Sequence, residues 1–109
     1  MGDYNFMNKE LIKYNLDDKY IFDFYGLNQI DCFYEMISLI ENVIKPDKIN
    51  YNLIYGQGIF MKNNIEVEFE HCEVIGNCCK CKLNDDIEQV GKWANLIFDK
   101  LIIGKKGKF

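Results

Sequence analysis

The sequence predicts an α+β fold: a two-layer sandwich in which an antiparallel sheet of about four strands carries two main helices, in the order β-α-β-β-β-α. Three observations lead there. Apolar residues recur at helical spacing in two separate segments, Ile30 to Ile44 and Ile87 to Leu101. Between them, Ile65, Val67 and Phe69 alternate strictly with Glu66, Glu68 and Glu70, the period of a half-buried strand. The chain has 109 residues, 49% of them hydrophobic, with eight Phe, seven Tyr and one Trp. That length suits one domain over residues 1–109, and large side chains bury enough area to fold it without staples.

Residues 1–18 are expected to form an N-terminal arm or short helix around Leu11, Ile12 and Tyr14, with Asn15 to Lys19 turning. Tyr20 to Tyr25 is β-branched or aromatic around Asp23 and reads as a strand, which Gly26 breaks. Asn28, with Asp31 three residues on, predicts a capping-box-like helix start. Ile30, Phe33, Ile37, Ile40 and Ile44 form the helix's stripe, and Met36 and Val43 widen it. Pro46 ends this helix, because the residue before a proline is pushed out of the right-handed α region.

Tyr51 to Lys62 reads as one strand whose middle is loosened by Gly56 and Gly58. Asn63-Asn64 predicts a hairpin turn, since Asn tolerates positive φ. Gly76-Asn77 predicts a second tight turn, placing Val74 opposite Cys79, Glu73 opposite Lys80 and Cys72 opposite Cys81. That register conflicts with the preceding alternation, so a bulge near His71-Cys72 is expected to reconcile them. Asp85 and Glu88 then form a capping box for a helix from Asp86 to about Ile103, closed by Gly104. Ile87, Val90, Ala94, Ile97 and Leu101 make its stripe, flanked by Trp93 and Phe98. Residues 104–109 are expected to fray.

Composition narrows the function. There is no Arg, so no planar fork exists for bidentate phosphate or guanine contacts. With 17 acidic against 13 basic residues the net charge is −4. A nucleic-acid backbone is repelled on average, and a basic protein partner is favoured. No run of about 18 apolar residues exists to span a membrane. Met1-Gly2-Asp3-Tyr4-Asn5 lacks the basic region and apolar run of a signal peptide, so the expected location is cytoplasmic, with the five cysteines reduced.

No catalytic motif emerges. His71, Cys72, Cys79 and Cys81 offer soft ligands for Zn²⁺, but Cys79 and Cys81 lie two apart on a strand rather than on the tight turn of a zinc knuckle. Buried cysteines also behave as small hydrophobes. A Cys–His nucleophile requires the sole imidazole, His71, whose side chain diverges from Cys72 on a strand and faces Lys82 in the predicted pairing. Gly56-x-Gly58 has no GK[ST] after it and is not a phosphate loop. Asp17-Asp18 and Asp85-Asp86 read as a turn and a helix cap. The row Glu66, Glu68, Glu70 is either an ordinary solvated sheet face or an anionic docking surface, with Asp17 and Asp18 as further contacts.

Tyr20-Ile21-Phe22-Asp23-Phe24-Tyr25-Gly26-Leu27-Asn28-Gln29-Ile30-Asp31-Cys32-Phe33-Tyr34 looks like the opening strand–turn–helix of barstar-like inhibitors. The chain as a whole resembles, in type, the small acidic immunity proteins of bacterial toxin systems, including those of contact-dependent growth inhibition. The Asn-Leu-Asp-Ala-Leu-Trp helix of barstar does not occur, so no inhibitory residue is carried over. The resemblance implies a cytosolic partner without cofactor or chemistry of its own, which occludes the cleft of a cognate, basic toxin such as a nuclease. The alternative is a small metal- or ligand-binding regulatory domain built on the Cys-rich hairpin.

Overall fold

The computed structural model describes residues 9–72, 74 and 76–106, the last three as backbone only. Strands β1 (Glu10–Leu16) and β2 (Lys19–Tyr25) precede helix α1 (Ile30–Leu39), which runs into a π-helical turn (Ile40–Ile44). Strands β3 (Lys48–Asn52), β4 (Gln57–Lys62), β5 (Ile65–Cys72) and β6 (Gly76–Lys82) follow, and helix α2 (Ile87–Lys106) closes the series. The sheet is antiparallel throughout, in the order β1-β2-β6-β5-β4-β3. No helix among the described residues is long and apolar enough to cross a membrane.

The fold is mixed α+β, but the sheet has six strands rather than about four. Two departures account for this. The expected N-terminal arm or short helix is instead β1, paired with β2 along its whole length from Glu10↔Tyr25 to Leu16↔Lys19. Residues 1–8 lie outside the described region. The single strand expected over Tyr51 to Lys62 is a hairpin of two strands, turned at Leu53 to Gly56. Asn52 Oδ1 accepts hydrogen bonds from the amides of Ile54 (2.9 Å) and Tyr55 (3.2 Å), and Gly56 takes φ +63°. A side-chain oxygen that replaces a backbone acceptor makes a turn that composition alone does not signal.

Period-2 alternation sorts each strand between two faces. Phe22 and Phe24 of β2, Cys79 and Cys81 of β6, Val67 and Phe69 of β5 and Phe60 of β4 lie under the helices. They pack with Cys32, Phe33, Met36, Ile37 and Ile40 from the first helical segment and Val90, Trp93, Ala94, Ile97 and Leu101 from α2. Rings interlock across the layers, Phe24 with Phe98 and Phe60 with Trp93, both at 5.8 Å between centroids. Gly58 makes room for the ring of Phe69, whose centroid lies 6.3 Å from that of Phe60. A Cβ there would lie 2.2 Å from Phe69 Cζ. Gly58→Ala is therefore expected to cost about 2 kcal/mol by displacing a buried ring, read as a lower urea midpoint at unchanged m-value.

Both helices begin differently from expectation, and α2 also ends differently, whereas the first helical segment stops before Pro46 as expected. Gln29, not Asn28, occupies the N-cap of α1, and no side chain caps it. At its far end the Lys45 amide reaches back to Ile40 O (2.8 Å), Lys45 takes φ +56°, and Pro46 follows. Lys62 Nζ then donates to the free carbonyls of Ile44 (2.6 Å) and Lys45 (3.1 Å), a cation placed where the helix dipole favours one. For α2, Asp86 is the cap, its Oδ1 accepting from Gln89 N at 3.1 Å, while Asp85 accepts from Lys82 N at 3.0 Å. The helix continues through Gly104 to Lys106, so the expected closure at Gly104 is corrected. Residues 107–109 lie outside the described region.

The β5–β6 register also differs from expectation. Phe69 faces Cys79, Glu70 faces Cys78 and His71 faces Asn77, with no bulge between. Gly76-Asn77 is not the turn but the start of β6, and the connection falls at residues 73–75. The reason is tertiary. Asn77 is fully buried, and its Nδ2 donates to Leu27 O (2.7 Å) and Gln29 O (3.1 Å), fastening β6 to the β2–α1 loop. Gly76, at φ +99°, lies against Asn28, where a Cβ would come within 2.4 Å of Asn28 Oδ1.

Candidate protein-docking site

The helix-free face of the sheet carries the glutamate row. Register places Ile12, Asp23, Cys78 and Glu70 across one line of this face, and Tyr14, Ile21, Lys80 and Glu68 across the next. Glu68 pairs with Lys19, and Glu70 pairs with Lys80. The hydrogen bond to Glu68 holds the Lys19 ammonium above its ordinary pKa, and the Asp18 and Glu66 carboxylates add to this. Glu66 is exposed and acts on Lys19 only through its charge. Asp17 and Asp18 are exposed at the β1–β2 turn, where Asp17 adopts φ +57°. Two of the three glutamates are thus neutralised by lysines from β2 and β6. The row is a face of alternating charge, not an uncompensated anionic ridge, and its power to steer a cationic partner is correspondingly reduced.

The cysteines and His71 do not converge. Cys79 and Cys81 are buried in the core beneath the helices. His71 shares that face, with its ring 6.3 Å from Phe33 and Nδ1 3.0 Å from Asn77 Oδ1. Lys82, its expected neighbour, lies at the far end of β6. Cys72, one residue on, points to the opposite face. No group of three or more His, Cys, Asp or Glu among the described residues is placed to hold a metal ion. Burial pushes the Cys78 thiol up to about 12, with the Glu70 carboxylate adding to the effect, and the Cys81 thiol up to about 11. Burial also raises Cys79. Such thiols are protonated near neutral pH, the reverse of what a nucleophile or metal ligand requires.

A different surface stands out at one end of the sheet. Antiparallel pairing brings together the β3–β4 turn, the β5–β6 connection and the β2–α1 loop, and His71 N donates to Gly56 O across them at 2.8 Å. Here Ile54 is 89% exposed, Tyr55 71%, Leu53 50% and Val74 90%. Tyr25 at the end of β2 and Ile30 and Tyr34 in the first turns of α1 are exposed at the same end. The tip is held rather than loose, since the Asn52 carboxamide fixes the amides of Ile54 and Tyr55. A legible signal existed: no charged residue occurs from Ile49 to Met61. Exposed aromatic and aliphatic side chains on a hydrogen-bonded turn form an apolar patch of the kind that marks an interaction surface, with part of the ordering cost already met.

An open groove of about 450 Å³ adjoins this tip, lined by Asn50, Asn52, Gln57, Ile59, Glu68 and Glu70 on the helix-free face. Its carboxamides supply donors and acceptors beside the apolar tip. Aromatic anchors with a polar flank are the usual anatomy of a protein interface. Comparison of the chain with family models, with curated proteins and with solved structures finds no match.

Proposed function

We propose that this protein acts by binding another protein, as an immunity protein that inhibits a cognate toxin in the cytoplasm by covering its active region. The observation that carries the reading is the rigid apolar tip, Leu53-Ile54-Tyr55, displayed at the end of the sheet. Exposing Ile54 and Tyr55 forgoes hydrophobic stabilisation in the free chain, and a partner that buries them recovers it. The acidic balance of the chain still favours a basic partner, but the paired glutamates leave apolar burial as the main source of affinity. The inhibition is steric, and none of the buried thiols takes part.

Co-expression with candidate toxins from the gene's own neighbourhood tests this. The wild-type chain is expected to protect the host cell and to form a complex with the toxin. Ile54→Asp together with Tyr55→Ser should weaken the complex by about 30-fold or more, as loss of a hot spot does, while leaving circular dichroism unchanged. Protection that survives this double substitution would remove the tip from the interface. Failure to protect against any neighbouring toxin would remove the immunity reading itself.

A further inference from the structure

One carboxylate on the helix-free face is left unbalanced. Asp23 Oδ1 is closed to solvent and accepts no hydrogen bond, alone in this among the buried side-chain N and O atoms of the described residues. Register sets Asp23 between Ile12 of β1 and Cys78 of β6, with the buried Ile21 two residues before it on β2. The titratable groups that face it are Glu10 and Tyr14 from β1, Tyr25 from its own strand, Cys78 and Lys80 from β6, and Glu70 from β5. None of them bonds to Oδ1. Lys80 is paired with Glu70, the Cys78 thiol points at Glu70 Oε1 from 3.8 Å, and Lys19 is held by Glu68. Burial raises the Asp23 carboxyl above its ordinary range. The Tyr14 phenol is raised by burial and next by the Asp23 charge, which places the two side by side.

We propose that Asp23 is a proton-operated latch on the edge strand β1: a neutral carboxyl leaves β1 closed against β2, and ionisation opens β1 locally so that water reaches Oδ1. An ionised oxygen without a partner must be hydrated or its charge given up. Water cannot enter from the β6 side. That strand is paired on both flanks, and Cys78 is only 3% exposed. Strand β1 pairs with β2 alone, and the Ile12 and Tyr14 side chains that flank Asp23 are only part-buried. The edge is therefore the element that yields, as the least buried and least bonded part of a sheet does. The sign follows from the raised carboxyl. Its contribution to the closed edge is full below the ordinary carboxyl value and is lost as pH climbs through the folded one. The latch involves neither the apolar tip nor a partner, so it does not depend on the proposed function.

An NMR titration of the full-length chain from about pH 3 to about pH 7 tests it, following the Asp23 carboxyl carbon and the backbone amides. The Asp23 carboxyl should titrate above the ordinary 3.8. The amides of Ile12 and Tyr14 should shift with that same midpoint and lose hydrogen-exchange protection as the carboxyl ionises, while those of β3 and β4 keep theirs. Asp23→Asn should hold β1 protected across the range. It should also raise the urea midpoint near neutral pH by about 0.5 M, a gain that shrinks in acid as the wild-type carboxyl takes up its proton. An Asp23 midpoint at or below 3.8 overturns the proposal. So do β1 shifts that persist in Asp23→Asn, which would belong to Glu10, and an Asp23→Asn chain that is less stable than wild type or fails to fold.

Discussion

Asn77→Ala is expected to lower the unfolding free energy by about 3 kcal/mol, since one buried carboxamide serves three partners at once. Its two N–H bonds go to Leu27 O and Gln29 O, so only Oδ1 remains to face His71 Nδ1. The imidazole must therefore carry its proton on Nδ1 and donate it. Removing the carboxamide strands the buried Leu27 carbonyl at about 1–3 kcal/mol, and takes one partner each from the part-buried His71 ring N–H and from Gln29 O, which keeps its bond from Cys32 N (3.0 Å). Asn77→Asp should be no better, because a carboxylate cannot donate to carbonyl oxygens. His71→Ala loses only one of the three bonds and should cost less than Asn77→Ala. Urea unfolding of the three variants checks the order, and a loss below about 1 kcal/mol for Asn77→Ala would show that the node is not what anchors β6 to the β2–α1 loop.

Stability should also fall steeply on the alkaline side. The thiol of Cys78 rises from 9.0 to about 12 in the folded chain, chiefly through burial. Between those values the unfolded chain has released this proton while the folded chain retains it. The native state binds more protons, so stability is full below pH 9 and declines as pH climbs through the folded value. Cys78 alone should account for about 2 kcal/mol by about pH 10.5, and Cys79 and Cys81, raised in the same direction, add to the loss. Urea midpoints at about pH 8 and about pH 10.5 measure the slope. Cys78→Ala should make it shallower by the Cys78 share, and equal midpoints for the wild-type chain would contradict the buried-thiol account.

Both helices were legible because a stripe with period 3.6 must face the core wherever the helix lands, and Phe33, Ile37, Ile40, Val90, Ala94 and Leu101 all do. Strand β5 was legible for the matching reason at period 2. Strand β1 was not. Leu11 with Lys13 and Asn15 faces the helices while Ile12, Tyr14 and Leu16 face away, so an edge strand with apolar residues on both sides carries no alternation. The β3–β4 turn was hidden because the Asn52 side chain makes it, and two glycines looked like a bulge. Gly76-Asn77 has the composition of a turn, but three tertiary hydrogen bonds of Asn77 outweigh that local preference. The glutamate row was visible as a face of a strand. Its neutralisation was not, because Lys19 lies 49 residues from Glu68, and only the sheet order brings them together.

The position of β6 between β2 and β5 has a consequence for synthesis on the ribosome. The β1–β2 hairpin emerges first, yet the strand that must template it is the last of the six to appear. A lone two-stranded hairpin is at best marginally stable in water. The β3–β6 meander is built from neighbours in sequence and can assemble as it leaves the tunnel, whereas the leading hairpin must wait for that meander to present its free border. Until then the nascent chain carries an apolar ribbon with nowhere to dock, so its window of vulnerability to misassociation closes only when translation has passed Lys82.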